Sequence, residues 1–293
     1  MNAPRLIGID LGGTKIQVAA ADLGGAIIAR TRAPTPEPLA EGLALIRSMI
    51  AEVAGGAPIA GVGVAIGGPI HPASGVVSPL HQAAWRDVPF GQLLGEWTGA
   101  LWRIEVDTDA AAMAEFHAGG HYTDGHRAHR LLYITVSTGV GGGFVVDGVI
   151  QRGADGAHPE FGHQAVPAPE TVQCGCGATG CLEALVSGRA LERRHGRPAA
   201  ELSDAEFAAA GKLLGLGLRN AATLLAPDVI ALGGGVVVGG GERLLAAARA
   251  EVEQGVRLLP PPRVVVSALG YDTALQGALA LAASAATEKL RVA

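Results

Sequence analysis

The chain has 293 residues, 17% charged and 49% hydrophobic, with a formal net charge of −5. This is the composition of a packed globular protein, long enough for one large or two ordinary domains, and it excludes a disordered chain. The 22 lysines and arginines form no dense cluster, and no run of about 18 apolar residues escapes glycine, proline or charge, so neither a nucleic-acid footprint nor a membrane-spanning helix is expected.

The start, Met1-Asn2-Ala3-Pro4-Arg5, lacks the charged-then-apolar layout of a signal peptide, and a cytoplasmic location is expected. Apolar runs at 5–10, 15–21 and 26–32 predict an opening meander of strands. A helix follows over 38–54, with Ile46, Ile50 and Val53 on its apolar face, and a strand over 59–66 ends in Gly67-Gly68-Pro69. Next come a helix over 90–98 and a strand over 102–106 that delivers Asp107. The alanine-rich stretch 110–117 predicts a helix there, which places Asp107 at a helix start. Farther on, the pattern predicts helices near 183–189, 204–225, 241–254 and 273–286, with strands at 228–232 and 262–267. The 44 glycines concentrate at turns between apolar strands, and no linker-like run interrupts the chain.

Two segments repeat one design. Leu6 to Asp22 reads as strand, glycine turn (Gly12-Gly13) and strand, and Leu132 to Gly148 reads the same way around Gly139 to Gly143, with Asp147 in the place of Asp22. Glycine at such turns permits positive φ and lets main-chain N–H groups approach an anion, so each is a candidate phosphate loop. A third loop, Gly233-Gly234-Gly235, again follows an apolar strand.

All three cysteines, Cys174, Cys176 and Cys181, lie in one glycine-rich segment shortly after His163. Two cysteines one residue apart are awkward for a mutual disulfide, and an odd total leaves one thiol over. Three thiolates and one imidazole are the ligand set of a closed structural zinc site. The alternative is three buried reduced thiols beside an unrelated histidine.

The motifs Asp10-Leu11-Gly12-Gly13-Thr14-Lys15, Ser137-Thr138-Gly139-Val140-Gly141-Gly142-Gly143 and Glu160-Phe161-Gly162-His163, the cysteine segment ending in Leu182-Glu183, and Leu232-Gly233-Gly234-Gly235 together resemble the ROK family. That family includes glucokinases, fructokinases, N-acetylmannosamine kinases and sugar-sensing repressors. The match is collinear from Ile7 to about Ala278. It implies an α/β fold of the actin-like ATPase (ribonuclease H-like) type, a two-lobed sugar kinase. The small N-terminal lobe would be 1–107, with a C-terminal helix of about 280–293 packing back on it, and 108–279 would form a large lobe carrying the zinc site.

The resemblance further implies ATP as donor, Mg²⁺ and a structural zinc. Asp107 would be the catalytic base. Asp10 would position Mg²⁺ through water, and Gly12, Gly13, Thr14, Lys15, Thr138, Gly139 and Gly234 would meet the nucleotide. Gly68, Glu160, His163 and Glu183 would contact the sugar, with His163 also joining Cys174, Cys176 and Cys181 on zinc. The partners expected are a small-molecule sugar and a nucleotide, without nucleic acid or membrane, and the assembly a homodimer. Asp109, two residues after Asp107 and also within capping reach, is the rival base.

The chain departs from the family pattern in three places: Val106 and Leu80 stand where asparagines are usual, and His158-Pro159-Glu160 replaces the more usual Ala-Gly-Glu. The expected function is a glucokinase-like, ATP-dependent hexose kinase. A fructokinase, mannokinase or N-acetylhexosamine kinase is the alternative, and a non-catalytic sugar sensor the alternative class. Family repressors carry a winged-helix segment ahead of the sugar-binding body, and Asp10 lies too near Met1 for one here.

Overall fold

The computed structural model describes residues 2–80, 82–123 and 125–292. Its first half runs β1 (Arg5–Leu11), β2 (Lys15–Ala21), β3 (Ile27–Pro34), α1 (Leu39–Ala54), β4 (Ile59–Ile66), β5 (Ile70–His71), β6 (Val76–Val77), α2 (Phe90–Thr98), β7 (Leu101–Val106) and α3 (Asp107–Ala118). The second half runs β8 (Tyr122–Thr123), β9 (His126–Arg127), β10 (Arg130–Val136), β11 (Val140–Val146), β12 (Val149–Ile150), α4 (Glu183–Val186), α5 (Gly188–His195), α6 (Asp204–Leu225), β13 (Val229–Gly233), α7 (Gly235–Gly240), α8 (Glu242–Gly255), β14 (Arg263–Val266) and α9 (Thr273–Val292).

Two compact units divide the chain. Unit 1 is Met1–Ala114, Ala154–Gly156 and Asp272–Ala293; unit 2 is Glu115–Gly153 and Ala157–Tyr271. The first division falls inside α3, which runs unbroken from Asp107, and not at the start of that helix. The terminal helix α9 begins at Thr273; Ala293, the end of the expected span, lies outside the described residues.

Unit 1 is built on a five-stranded sheet in the order β3-β2-β1-β4-β7, with β1, β2 and β3 antiparallel and β1, β4 and β7 parallel. The interior strand β4, Ile-Ala-Gly-Val-Gly-Val-Ala-Ile, is apolar almost throughout, as a strand covered on both faces must be. Edge strand β3 alternates between half-buried and exposed positions. Helix α1 lays Ile46, Ile50 and Val53 into the core formed with Ile7, Val18 and Val64. Helix α9 covers Leu6, Ala19 and Ala21 with Leu275, Leu279 and Ala282. Its approach is so close that a Cβ added at Gly61 would lie 2.9 Å from the main-chain nitrogen of Ala286, so only glycine fits under the helix.

Unit 2 repeats the sheet. Its order β12-β11-β10-β13-β14 matches β3-β2-β1-β4-β7, with the same sequence of antiparallel and parallel pairings. The repeat read from the two glycine turns is thus a repeat of whole sheets. The core is apolar sheet residues such as Leu132, Ile134, Ile230 and Leu232 against Phe207, Leu214 and Leu218 of α6. Helix α6 starts with a capping box: the Ser203 side chain accepts from the Glu206 N–H, while Glu206 accepts from the Ser203 N–H.

Two helices differ from the sequence expectation. The helix expected over 183–189 is split, because Ser187 turns extended (ψ 155°) and caps α5 by accepting from the Ala190 N–H at 3.2 Å. The glycine-rich loop after β13 is also shorter than expected: α7 begins at once behind Gly234, and Gly241 separates it from α8.

Candidate functional site

In unit 1 the first glycine turn joins β1 to β2. Gly12 N–H donates to the Lys15 carbonyl at 2.9 Å, and the Gly12 carbonyl accepts from Thr35 Oγ1 at 2.7 Å and from Gln82 Nε2 at 3.2 Å. Gly13 and Thr14 are exposed and Lys15 half-buried, so the tip of the turn is open to a ligand. Asp10, the last polar position before the turn, accepts from Gln17 Nε2 at 3.1 Å. Gln17 in turn accepts from Arg30, which grips both oxygens of Asp272 at 2.8 Å. Burial pushes the Asp10 carboxyl above the usual carboxylate range, against the opposing effects of the Gln17 bond and Lys15.

The two candidate bases separate cleanly. Successive helical residues are turned by about 100°, so residues two apart lie on nearly opposite faces. Asp107 is exposed at the first position of α3, and its Oδ1 accepts from the Thr108 N–H at 2.8 Å; Asp109 is only 1% exposed. A base must reach the proton it abstracts, and of these two only Asp107 is open to a ligand. Ahead of it Val106 is buried, 3.6 Å from where a Cβ on Gly68 would stand. Gly68 precedes Pro69 through a cis peptide, and its carbonyl accepts from the Leu80 N–H at 2.9 Å. Leu80 itself is 71% exposed, held outward by a loop that Arg86 braces through the carbonyls of Pro79 and Gln82. The two departures from the family pattern therefore differ: one is a buried wall, the other an exposed apolar side chain.

In unit 2 the second glycine turn joins β10 to β11, with Ser137 N–H donating to the Gly139 carbonyl at 2.9 Å. Glu183, at the start of α4, braces this turn: its Oε2 accepts from the Val140 N–H at 2.9 Å, and a Cβ on Gly139 would stand 2.6 Å from that oxygen. Gly12, Gly139 and Gly142 serve close approach, not unusual backbone. None of Gly12, Gly13, Gly139, Gly141, Gly142 and Gly143 has positive φ, contrary to the expectation for these turns. Gly234 does, at 94°, and it packs against the carbonyl of Val136.

Beside the second turn lies an open pocket of about 370 Å³, lined by Ser137 and Thr138 of the turn, Gly188, Arg189 and Glu192 of α5, Pro198, Ala199 and Ala200, and Gly235 and Val236 of α7. Thr138 belongs to the residues expected at the nucleotide, and Gly139 and Gly234 each adjoin a lining residue. Arg189, Glu192 and the 198–200 wall carry no motif and were not foreseen. Nor were Thr35 and Gln82, which brace the first turn through a main-chain carbonyl that any residue could supply.

The predicted metal ligands are brought together. A ring nitrogen of His163 and the sulfurs of Cys174, Cys176 and Cys181 all lie within 4.8 Å of one another. His163 ends a short 3₁₀ turn, Phe161–His163, that follows exposed Glu160. The cysteines sit on a tight knuckle in which Cys174 N–H donates to the Ala178 carbonyl at 2.7 Å and Gly177 N–H to the Cys174 carbonyl at 3.0 Å. Ligands about 2.3 Å (sulfur) and 2.1 Å (nitrogen) from one tetrahedral ion stand roughly 3.8 Å (S to S) and 3.6 Å (S to N) apart. The separations here are 3.7 Å between the sulfurs of Cys176 and Cys181 and 3.6 Å between Cys174 Sγ and His163 Nδ1. All three thiols are free, and burial pushes the Cys181 thiol up to about 12. The group fits a tetrahedral metal and no disulfide.

The doubled sheet with paired glycine turns defines a two-lobed α/β protein of the actin-like ATPase fold, with a Cys₃His knuckle in unit 2. The chain belongs to the ROK family, whose model matches residues 6–285. It is similar to a ROK hexokinase from Thermus thermophilus, with 30% identity, a TM-score of 0.79 and coverage of 99% of this chain and 100% of that one. A ROK glucokinase from Streptomyces griseus, solved with glucose and AMPPNP, is 28% identical with a TM-score of 0.77, covering 96% and 99%. Among curated relatives, the glucokinase of Streptomyces coelicolor is 35% identical over 187 residues, an alignment that spans 64% of this chain and 57% of that protein's length. Among the described residues no helix is long and apolar enough to cross a membrane.

Proposed function

We propose that the chain is an ATP-dependent hexose kinase that transfers the γ-phosphate to a sugar hydroxyl. The observation that carries this reading is the exposed carboxylate of Asp107 at the first position of α3, where the helix dipole favours the ionised form. Asp107 takes the proton of the acceptor hydroxyl as its oxygen bonds to the γ-phosphorus, and the bond to the bridging oxygen breaks to release ADP. Thr14 and Lys15 are assigned to the transferred phosphate, Gly12 and Gly13 to its close approach, and Thr138, Gly139 and Gly234 to the rest of the nucleotide in the unit 2 pocket. The glucose and AMPPNP held by the Streptomyces griseus relative support the pairing of sugar and nucleotide. Asp10 is the residue that would hold Mg²⁺ through water; a cation there would offset the cost of its burial and neutralise phosphate charge.

Zinc is the metal that three thiolates and an imidazole select. With Nδ1 of His163 turned to Cys174, a metal on that nitrogen leaves the proton on Nε2, a fixed donor for a sugar hydroxyl. Glu160 is assigned to the sugar as an acceptor, and Glu183 both to the sugar and to the brace on the second turn. Gly68 would form part of the sugar-site wall. Free thiols fit a reducing compartment, and the cytoplasm is the location proposed. The homodimer is carried over from the family resemblance alone.

Val106 and Leu80 bear on which hexose is used. A site that lacks two amides leaves some glucose hydroxyls unpaired, at about 1–3 kcal/mol each. Glucose should therefore be a mediocre substrate beside fructose, mannose or an N-acetylhexosamine. Val106→Asn should raise the kcat/KM ratio of glucose to the preferred sugar by about 10- to 100-fold. The ratio is independent of how much protein folds, which matters because Val106 is only 8% exposed. High glucose kcat/KM in the natural protein, with no gain from Val106→Asn, would contradict this account of the two positions.

A further inference from the structure

One wall of the unit 2 pocket, Pro198–Ala200, is a short connection between α5 and α6 made of a proline and two alanines, with no polar side chain of its own to hold it in place. Ala199 packs on the apolar core and Ala199–Glu201 form a 3₁₀ turn, and the polar ties at both ends of the wall converge on a single carboxylate. Glu206, in the first turn of α6, accepts from the Ser203 N–H and the Ser203 hydroxyl, each at 2.7 Å, just after the wall. It also accepts from Arg197 Nη2 at 2.5 Å and lies 2.9 Å from Nδ1 of His195, both just before the wall. Arg197 then crosses the connection to donate through Nε to the Glu201 carbonyl at 3.1 Å.

A capping box needs only the Ser203 and Glu206 pair. The start of α6 does not require the contacts from His195 and Arg197, and ion pairs this exposed, with side-chain exposure of 38% for Arg197 and 24% for Glu206, contribute little to stability. What they do is close the 195–206 segment into a fixed arch whose crown is the pocket wall.

We propose that Glu206 is a positioning residue for the nucleotide, acting through Arg197 and His195 to fix the 198–200 wall against which the bound nucleotide rests. The proposal rests on the reading of this pocket as the nucleotide site. Removing the charge loosens the wall in the free protein, so part of the nucleotide's binding energy goes into reordering it. The defect appears in ATP binding and not in the chemical step.

The test compares four variants by steady-state kinetics and thermal melting. Glu206→Gln and Arg197→Ala should each raise KM for ATP by about 10-fold, with kcat at saturating ATP and KM for the sugar within about 2-fold of the natural protein. Ser203→Ala removes the helix-capping hydroxyl but leaves Arg197 and His195 on Glu206. It should lower Tm with little change in KM for ATP. Equal KM increases in Ser203→Ala and Glu206→Gln, or an unchanged KM in Glu206→Gln and Arg197→Ala, would overturn the positioning role. Ala200→Trp, which fills the pocket, should raise KM for ATP sharply. If it does not, the nucleotide reading of this pocket falls, and the proposal with it.

Discussion

Asp107→Asn is expected to lower kcat by about 10²–10⁴-fold while leaving ATP binding and Tm near their natural values. The substitution is nearly isosteric, and the amide oxygen it introduces can still accept from the Thr108 N–H as the carboxylate does at 2.8 Å. What it loses is the ability to take a proton. Asp109→Asn should behave differently: that side chain is 1% exposed, so its loss should lower Tm more than it lowers kcat. Steady-state kinetics beside melting curves separate the two. If Asp109→Asn abolished turnover while Asp107→Asn retained it, the base would have to be reassigned.

Cys176→Ser is expected to lose metal, stability and activity together. Structural zinc contributes about 10 kcal/mol or more to the segment it organises. Here that segment runs from His163 to Glu183 and bears two of the residues assigned to the sugar, His163 and Glu183, the latter also bracing the second glycine turn. Stoichiometric metal analysis should find one zinc per chain in the natural protein and none in a Cys176→Ser, Cys181→Ser double variant. Full retention of zinc by that double variant would remove the assignment. Acid should act in the same direction. Zinc binds the thiolate, and a thiol pushed up to about 12 when metal-free holds its proton firmly, so zinc affinity falls as pH falls and proton release accompanies loading.

Much of this architecture is legible in the chain because its strands are long apolar runs punctuated by glycine. The capping signal Ser203-Asp204-Ala205-Glu206 marks the start of α6, and Thr273 follows a loop that ends the last strand. The break at Ser187 and the short helix ahead of Gly241 are harder to see. Most residues flanking Ser187 favour helix, Gly188 excepted, and the capping geometry of one serine splits the segment. At Gly235–Gly240 the glycines conceal a helix that begins straight after β13. The Cys₃His cluster could be found because its residues are chemically rare and close in sequence. By contrast, the pocket wall is two alanines and a proline, brought to the second glycine turn by a fold that joins segments around 137, 189, 199 and 235. No local pattern announces them. The different exposure of Asp107 and Asp109 was not legible from helical phase alone: α3 is buried on all sides, with Asp109 and Ala111 both inside, and Asp107 is open because it stands at the first position of the helix.

The central claim is phosphoryl transfer from ATP to a hexose, and it is tested most directly by ADP release measured across a panel of hexoses and N-acetylhexosamines, with inorganic polyphosphate tried as a second donor. At least one sugar should drive ADP release well above the rate with ATP alone, with stoichiometric sugar phosphate formed and the signal lost in Asp107→Asn. Zinc-loaded, folded protein that binds sugar yet releases no ADP, and consumes no polyphosphate, with any member of the panel would contradict the kinase assignment and favour a sugar-sensing role.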